Sequence, residues 1–316
     1  VPTEPSTEAT TAPTEPSTEP SEPTAPTEPP VADLTGVCPH CGVKISELTW
    51  TEWTIKNGGE STAVKEDAHY YLTGDVLSIT SQIRIGVAGE ATPDVVIDLR
   101  GYTMQAGKRV FAVYPGSSLS IMDTAGTGAV KGAMVDANQH GGVIRVDHGS
   151  TLNIYGGTIS DVATKAHAAY GGAIATEGGT INIAGGTVSG GTAKYAGTIY
   201  VAKSSKANGD VPGTLNISGG TVIGGVATSE EENPFGGAIF VNNANFIMTG
   251  GKVTGGTAVS EAKTPGGGNI YLSGNDSYTF QITGGIIENG TATNGNGGNI
   301  YIANGVLTVA GDAKIT

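Results

Sequence analysis

Cysteine is almost missing from this 316-residue chain: Cys38 and Cys41 are the only two. A disulfide-stapled scaffold is thereby excluded, because such domains use several bridges to replace a missing core. Basic residues are also few, 16 Lys and Arg against 29 Asp and Glu, which leaves a net charge of −13. No Lys/Arg cluster is available to neutralise a run of phosphates, so nucleic acid is not an expected partner. No apolar run approaches the roughly 20 residues of a membrane-spanning helix, and nothing at the start resembles a signal peptide. Sustained helical periodicity is missing as well.

Glycine is what the chain has in excess, with 51 residues and no three-residue period. That argues against both collagen and a conventional helical domain. It suits many short strands joined at sharp corners, where glycine enters positive φ without steric cost. Residues 1–30 carry nine Pro, eight Thr and six Glu. They hold too little apolar surface to offset the entropy of ordering, and read as a disordered, extended linker or stalk. Residues 31–69 form a junction containing Cys38-Pro39-His40-Cys41-Gly42 and the two tryptophans Trp50 and Trp53. From Tyr70 onward, runs such as Val76–Ile79, Val95–Leu99 and Leu119–Met122 have strand length and composition. The chain ends at Ala313-Lys314-Ile315-Thr316 inside such a pattern. It is therefore expected to be a monomeric piece of a longer protein, with its last coil truncated.

A degenerate repeat sets the architecture. Double-glycine or equivalent starts fall at Gly141, Gly171, Ala196, Gly236, Gly267 and Gly297. That spacing of tens of residues marks a solenoid. Three strand-like pieces recur in each unit. Ile144/Val146, Ile174/Thr176, Ile199/Val201, Ile239/Val241, Ile270/Leu272 and Ile300/Ile302 alternate on one side. Leu152/Ile154, Ile181/Ile183, Leu215/Ile217, Phe246/Met248, Phe280/Ile282 and Leu307/Val309 do so on a second, and Ile159, Val188, Val222, Val253 and Ile287 mark a third. Residues 203–212, 228–235 and 259–265 lengthen individual coils at their corners, which a solenoid tolerates. The expected fold over 70–316 is all-β: a right-handed, single-stranded parallel β-helix with three strands per coil.

The stretch Ala68-His69-Tyr70-Tyr71-Leu72-Thr73-Gly74-Asp75-Val76, with Val96-Ile97-Asp98-Leu99-Arg100-Gly101-Tyr102-Thr103 and Gly116-Ser117-Ser118-Leu119, resembles a known group. These are large secreted or surface proteins of Gram-positive gut bacteria with pectate-lyase-like β-helices. In that group a Cys-x-x-Cys-Gly element and one or two tryptophans often precede the helix, as Cys38–Gly42 and Trp50/Trp53 do here. Gly171–Ile174, Gly236–Ile239 and Phe240-Val241-Asn242-Asn243 are similar to the repeats of polymorphic outer-membrane autotransporter adhesins. Both likenesses imply adhesion and an extracellular location, secreted or attached to the cell surface, and speak more to fold than to chemistry.

β-Helix enzymes acting on acidic polysaccharides use clustered acidic residues with an Arg or Lys base, or paired aspartates with Gly-His-Gly and Arg-x-Lys. The chain holds no Asp-Asp, Gly-His-Gly or Arg-x-Lys. The nearest constellation, Asp136, His140, Arg145, Asp147, His148 and Asp161, reads as ordinary surface. Nothing in the sequence aligns a second carboxylate across from Asp147, as glycoside cleavage requires. Cys38 and Cys41 stand at zinc-ligand spacing. His69, which the resemblance places at the helix entrance, is the best third ligand, whereas His40 between the thiols is poorly placed. A structural zinc, a local disulfide and two free thiols all remain open, and in each case the element would cap the first coil.

One outward column stands out: Arg145, Ala175, Tyr200, Phe240, Tyr271 and Tyr301 lie between the inward Ile/Val positions. With coils stacked at ~4.8 Å, the last four would form an aromatic strip about 14 Å long. Exposed, Tyr200, Phe240, Tyr271 and Tyr301 would bind sugar rings or a protein partner. Covered, for instance by the 203–212 and 228–235 loops, they would be a ladder stabilising the sheet. A second column, Asn153, Asn182 and Asn216, reads as solvent-facing alternation. The expected function is non-catalytic binding to a glycan or surface protein. A polysaccharide-active enzyme and a plain structural spacer are the alternatives.

Overall fold

The computed structural model describes residues 32–55, 62–133, 140–163, 168–261 and 263–316. The Pro/Thr/Glu segment 1–30 and Asp136 lie outside them. The chain winds into a parallel β-solenoid of three long sheets, ten, eight and nine strands deep. The first sheet runs from Trp50–Glu52 through Asp94–Asp98 and Thr151–Ile154 to Leu307–Val309. The second runs from Ile83–Ile85 to Ile300–Ile302, and the third from Val76–Ile79 to Lys314–Ile315. Every strand pairs in parallel with its equivalents on neighbouring coils.

The inward columns read from the sequence form the core. Ile144, Ile174, Ile199, Ile239 and Ile270 of the second sheet are fully buried, as are Leu152, Ile181, Leu215 and Phe246 of the first. Ile159, Val188, Val222, Val253 and Ile287 of the third join them in one continuous cluster. Each such side chain contributes about 1.5–3 kcal/mol when removed from water. The expected Ile302 and Val309, on the last coil, are 40% and 49% exposed.

The repeated glycine pair has two distinct jobs. Gly171, Gly236 and Gly267 each adopt φ +64°, and a Cβ there would stand 2.1–2.3 Å from the carbonyl oxygen three residues on. The second glycine faces its counterpart on the next coil: a Cβ on Gly142 would lie 2.0 Å from the Gly172 oxygen. One turns the corner and the other lets the coils stack.

Coils from Ala168 onward carry a fourth strand beyond the three expected. Ala168–Tyr170, Thr192–Tyr195, Val226–Thr228, Thr257–Val259 and Thr291–Thr293 pair as a short fourth sheet between the third and the second. Ala193, Ala227 and Ala258 on it are fully buried. The repeat's Thr-Ala corner is thus a strand.

Residues 32–48 do not lie across the open end of the first coil. Cys38 and Ile45 pack on Val96 and Met122, outward residues of the first sheet, with Leu48, Trp50 and Tyr155 around them. The two tryptophans divide the work. Trp50 stays outside, its indole N–H donating to the Ile45 carbonyl at 2.9 Å. Trp53 is 5% exposed and enters the main core, edge-on to Tyr70 at 5.0 Å and to Phe111 at 6.3 Å. Among the described residues, no helix is long and apolar enough to cross a membrane.

Candidate functional site

Tyr200, Phe240, Tyr271 and Tyr301 are paired residue to residue on successive coils, as the repeat required. Their ring centroids follow one another at 5.5, 5.2 and 5.1 Å. An exposed strip is not what they form. Tyr200, Phe240 and Tyr271 are only 4%, 6% and 7% exposed. A second row of rings covers them: Tyr170 lies 4.5 Å from Tyr200, Tyr195 5.9 Å from Phe240 and Phe235 4.1 Å from Tyr271. The fourth strand brings Tyr170 and Tyr195 over the second sheet, and the 228–235 loop, one of the two expected covers, brings Phe235 there. The signal was in the sequence: Tyr170, Tyr195 and Phe235 directly precede Gly171, Ala196 and Gly236. Burial pushes the Tyr200 hydroxyl well above the ordinary tyrosine range and raises that of Tyr271.

Where the ring column stops, a cleft opens. Tyr200 is preceded on the next coil by Ala175, and Ala175 by Arg145. The missing rings leave a cavity of about 530 Å³ lined by Arg109, His140, Arg145, Asp147, His148 and Glu177, with Asn208 of the 203–212 loop at its side. Arg145 grips Asp147 through Nε to Oδ1 at 2.8 Å and Nη2 to Oδ2 at 2.9 Å. Arg109 is 3% exposed and donates to the carbonyls of Gly141 and His140 and to Gln82 Oε1. Its burial pushes the guanidinium pKa down to about 10. His140 meets Tyr170 at a tilt, ring centroids 4.6 Å apart, with Nδ1 3.5 Å from Glu177 Oε1. Burial lowers its pKa despite that carboxylate, and the two arginines push the same way. Glu177 is the residue the sequence reading missed. The register Val146 to Thr176 sets Asp147 beside Glu177 on adjacent coils.

The asparagine column also differs from the expectation. Asn216 Nδ2 donates to Asn182 Oδ1 at 2.8 Å, Asn182 to Asn153 at 2.8 Å, and Asn153 to Ser120 Oγ at 3.0 Å. Ser120 Oγ in turn meets His40 Nδ1 at 3.0 Å, and His40 Nε2 meets Asp94 at 2.6 Å. This is a ladder whose Ser120 end meets the docked 32–48 segment; Asn153 is only 6% exposed, while Asn182 and Asn216 are half-buried. A Ser–His–Asp sequence of contacts results, but Ser120 is fully buried and its oxygen already accepts from Asn153. It holds the Cys loop in place and offers no accessible nucleophile.

With both nitrogens of His40 engaged, His69 is the histidine left for the cysteines. A ring nitrogen of His69 and the sulfurs of Cys38 and Cys41 lie within 4.8 Å of one another. The cysteines are free thiols rather than a disulfide. Cys38 is fully buried, and desolvation raises its pKa, while burial lowers that of His69. His69 Nε2 is buried with no hydrogen-bond partner, an orphan that a metal ion would satisfy. The donor set, two sulfurs and one imidazole, suits zinc. The register Trp50–His69–Val96–Ser120 explains the assembly: these outward positions of the first sheet carry the ligand, the apolar seat and the polar anchor.

No protein-family model matches the chain, and no curated protein or solved structure matches it either.

Proposed function

We propose that the chain is a non-catalytic binding segment, displayed outside the cell, that takes glycan into the cleft between Arg145 and Glu177. One observation carries the reading: the coil that lacks a ring at Ala175 opens a cleft of about 530 Å³ lined by two arginines, two carboxylates and two histidines. That volume falls within the roughly 300–1,000 Å³ of small-ligand sites. The charges largely balance, so a hydroxyl-rich neutral sugar fits better than a polyanion. Arg and carboxylate forks offer donors and acceptors at the spacing of vicinal hydroxyls. The buried rings stiffen the wall behind the cleft and touch no ligand. Screening on a glycan array tests this: binding should be lost in Arg145→Ala and retained in Tyr301→Phe. Binding that survives Arg145→Ala and Glu177→Gln together would overturn it.

The neighbouring carboxylates Asp147 and Glu177 favour one second reading, a polysaccharide-active enzyme. Depolymerisation of pectin-like or mucin-like glycan, abolished by Asp147→Ala, would establish it in place of the first.

We also propose that Cys38, Cys41 and His69 hold a structural zinc that fixes the 32–48 segment to the first sheet, an assignment supported by the orphaned His69 Nε2. One zinc per chain, lost in Cys38→Ser, is the expected result of metal analysis. A metal-free chain purified without chelator and unable to take up zinc would refute it.

A further inference from the structure

Zinc sites that only build structure are closed by four protein ligands, whereas a site with three leaves a position for an outside ligand. Among the described residues the group comprises Cys38, Cys41 and His69 and no fourth His, Cys or carboxylate. The nearest alternatives are already committed. His40 uses Nδ1 on Ser120 and Nε2 on Asp94. Asp67 accepts the Asp94 backbone N–H at 2.8 Å. Cys41 is exposed, so the cluster reaches the surface. His69 also forms one wall of a second cleft, about 480 Å³, whose other walls include Thr49, Thr51, Asp67 and Asp94.

We infer that the metal held by Cys38, Cys41 and His69 keeps one coordination position for an exchangeable outside ligand, which enters from the cleft lined by Asp67 and Asp94. The inference rests on the zinc reading above and adds to it that the ion is accessible rather than sealed. The class of ligand follows from the walls. Two carboxylates and two threonine hydroxyls disfavour anions and favour water or a neutral nitrogen or oxygen donor. Bound water at such a position would be acidified by the ion, with Asp67 and Asp94 at hand to accept its hydrogen bonds.

Cobalt(II) titration of the full chain separates the two claims. Cobalt should bind one per chain with the intense visible bands of a tetrahedral thiolate site, absent in the Cys38→Ser, Cys41→Ser double variant. Adding imidazole should then shift those bands saturably, and at lower concentration than azide does. Failure of cobalt to bind overturns the zinc reading and this inference with it. Tight binding with bands that ignore imidazole would show a closed site, overturning the inference alone. Azide binding more tightly than imidazole would overturn the carboxylate-lined approach.

Discussion

Truncating Phe240 to alanine tests whether the aromatic column is a sealed layer. Phe240 is 6% exposed and meets four rings: Tyr200 at 5.5 Å, Tyr271 at 5.2 Å, Phe235 at 5.6 Å and Tyr195 at 5.9 Å. Removing a buried phenyl ring costs about 3–5 kcal/mol from lost transfer energy and the cavity left behind. Each lost aromatic pair accounts for about 0.5–1.5 kcal/mol beyond area, so the upper part of that range is expected. Phe240→Leu, which keeps most of the volume, should lose about 1–2 kcal/mol. Ile223→Ala, at an outward position 43% exposed, serves as control and should stay within about 0.5 kcal/mol. Urea unfolding gives the sum. Amide exchange gives the location, since the coils of a solenoid need not open as one unit. Protection should fall first in Ile199–Ala202, Ile239–Asn242 and Ile270–Ser273, the strands on either side of the gap. A loss below about 1 kcal/mol with unchanged exchange there would refute the sealed layer and return the rings to the solvent.

Corner glycines give a pair of opposite signs. Gly171→Ala forces a Cβ to 2.3 Å from the Ile174 oxygen at φ +64° and should cost at least about 1–2 kcal/mol. Ala196 holds the same corner at φ +55°, so Ala196→Gly should gain about 0.5–1 kcal/mol; thermal melts of both check the sign. His140 has a folded pKa below its unfolded value of about 6.5, so the unfolded chain takes up the proton first. Stability should therefore be full above about pH 6.5 and fall below it, until the folded-state pKa is reached. Urea titrations from pH 7.5 to 5 should show a shallower slope in His140→Gln. Asn182→Leu leaves the Asn153 oxygen and the Asn216 amide unpaired and should cost about 1–3 kcal/mol by urea unfolding, more than an exposed polar change would.

Much of this molecule was legible because the repeat writes each structural role as a column. Ile174, Ile181 and Val188 sit on three sides of one coil, and their equivalents recur wherever the glycine pair does. The fourth sheet was not legible, because Thr-Ala-Val and Thr-Ala-Thr triplets carry almost no strand signal of their own and are ordered by stacking. Exposure was not legible for the same kind of reason. Alternation tells which side of a strand Tyr200 or Asn153 takes, but not what lies on top of it. The cover comes from another part of the chain: Tyr170, Tyr195 and Phe235 for the rings, and residues 32–48 for the outward Val96 and Met122, beside Ser120 at the end of the asparagine ladder. The candidate metal ligands were found by spacing and likeness. Their convergence depends on Trp50 pairing with His69, which sets the chain leaving the Cys loop beside the histidine.

The position of the cleft follows from an interruption. A stacked column of rings stabilises a parallel sheet only while every coil contributes one, and each contribution buries the next. Coils at Tyr200, Phe240, Tyr271 and Tyr301 keep that rule. At Ala175 the rule is broken. Tyr170 and His140 cover the ring of Tyr200, His140 closes the second row, and Arg145 stands in the column where a ring would otherwise continue it. A chain selected only for stiffness would continue the ladder, because a ring at 175 would bury more area than an alanine and would need no ion pair to accompany it. Arg109 sharpens the point. Its guanidinium is almost fully buried and is spent on two carbonyls and Gln82, which fixes the floor of the gap rather than filling it. Burying that charge is costly unless its hydrogen bonds are made, and here they are made to the backbone that carries His140. The break is therefore held open by design of the neighbouring coil, and Ala175→Phe is the substitution that would close it. Ala175 is fully buried, so the larger ring can only be housed by filling the cleft, and it should abolish glycan binding while leaving Arg145, Asp147 and Glu177 in place. A folded variant that still binds would show that the ligand sits elsewhere.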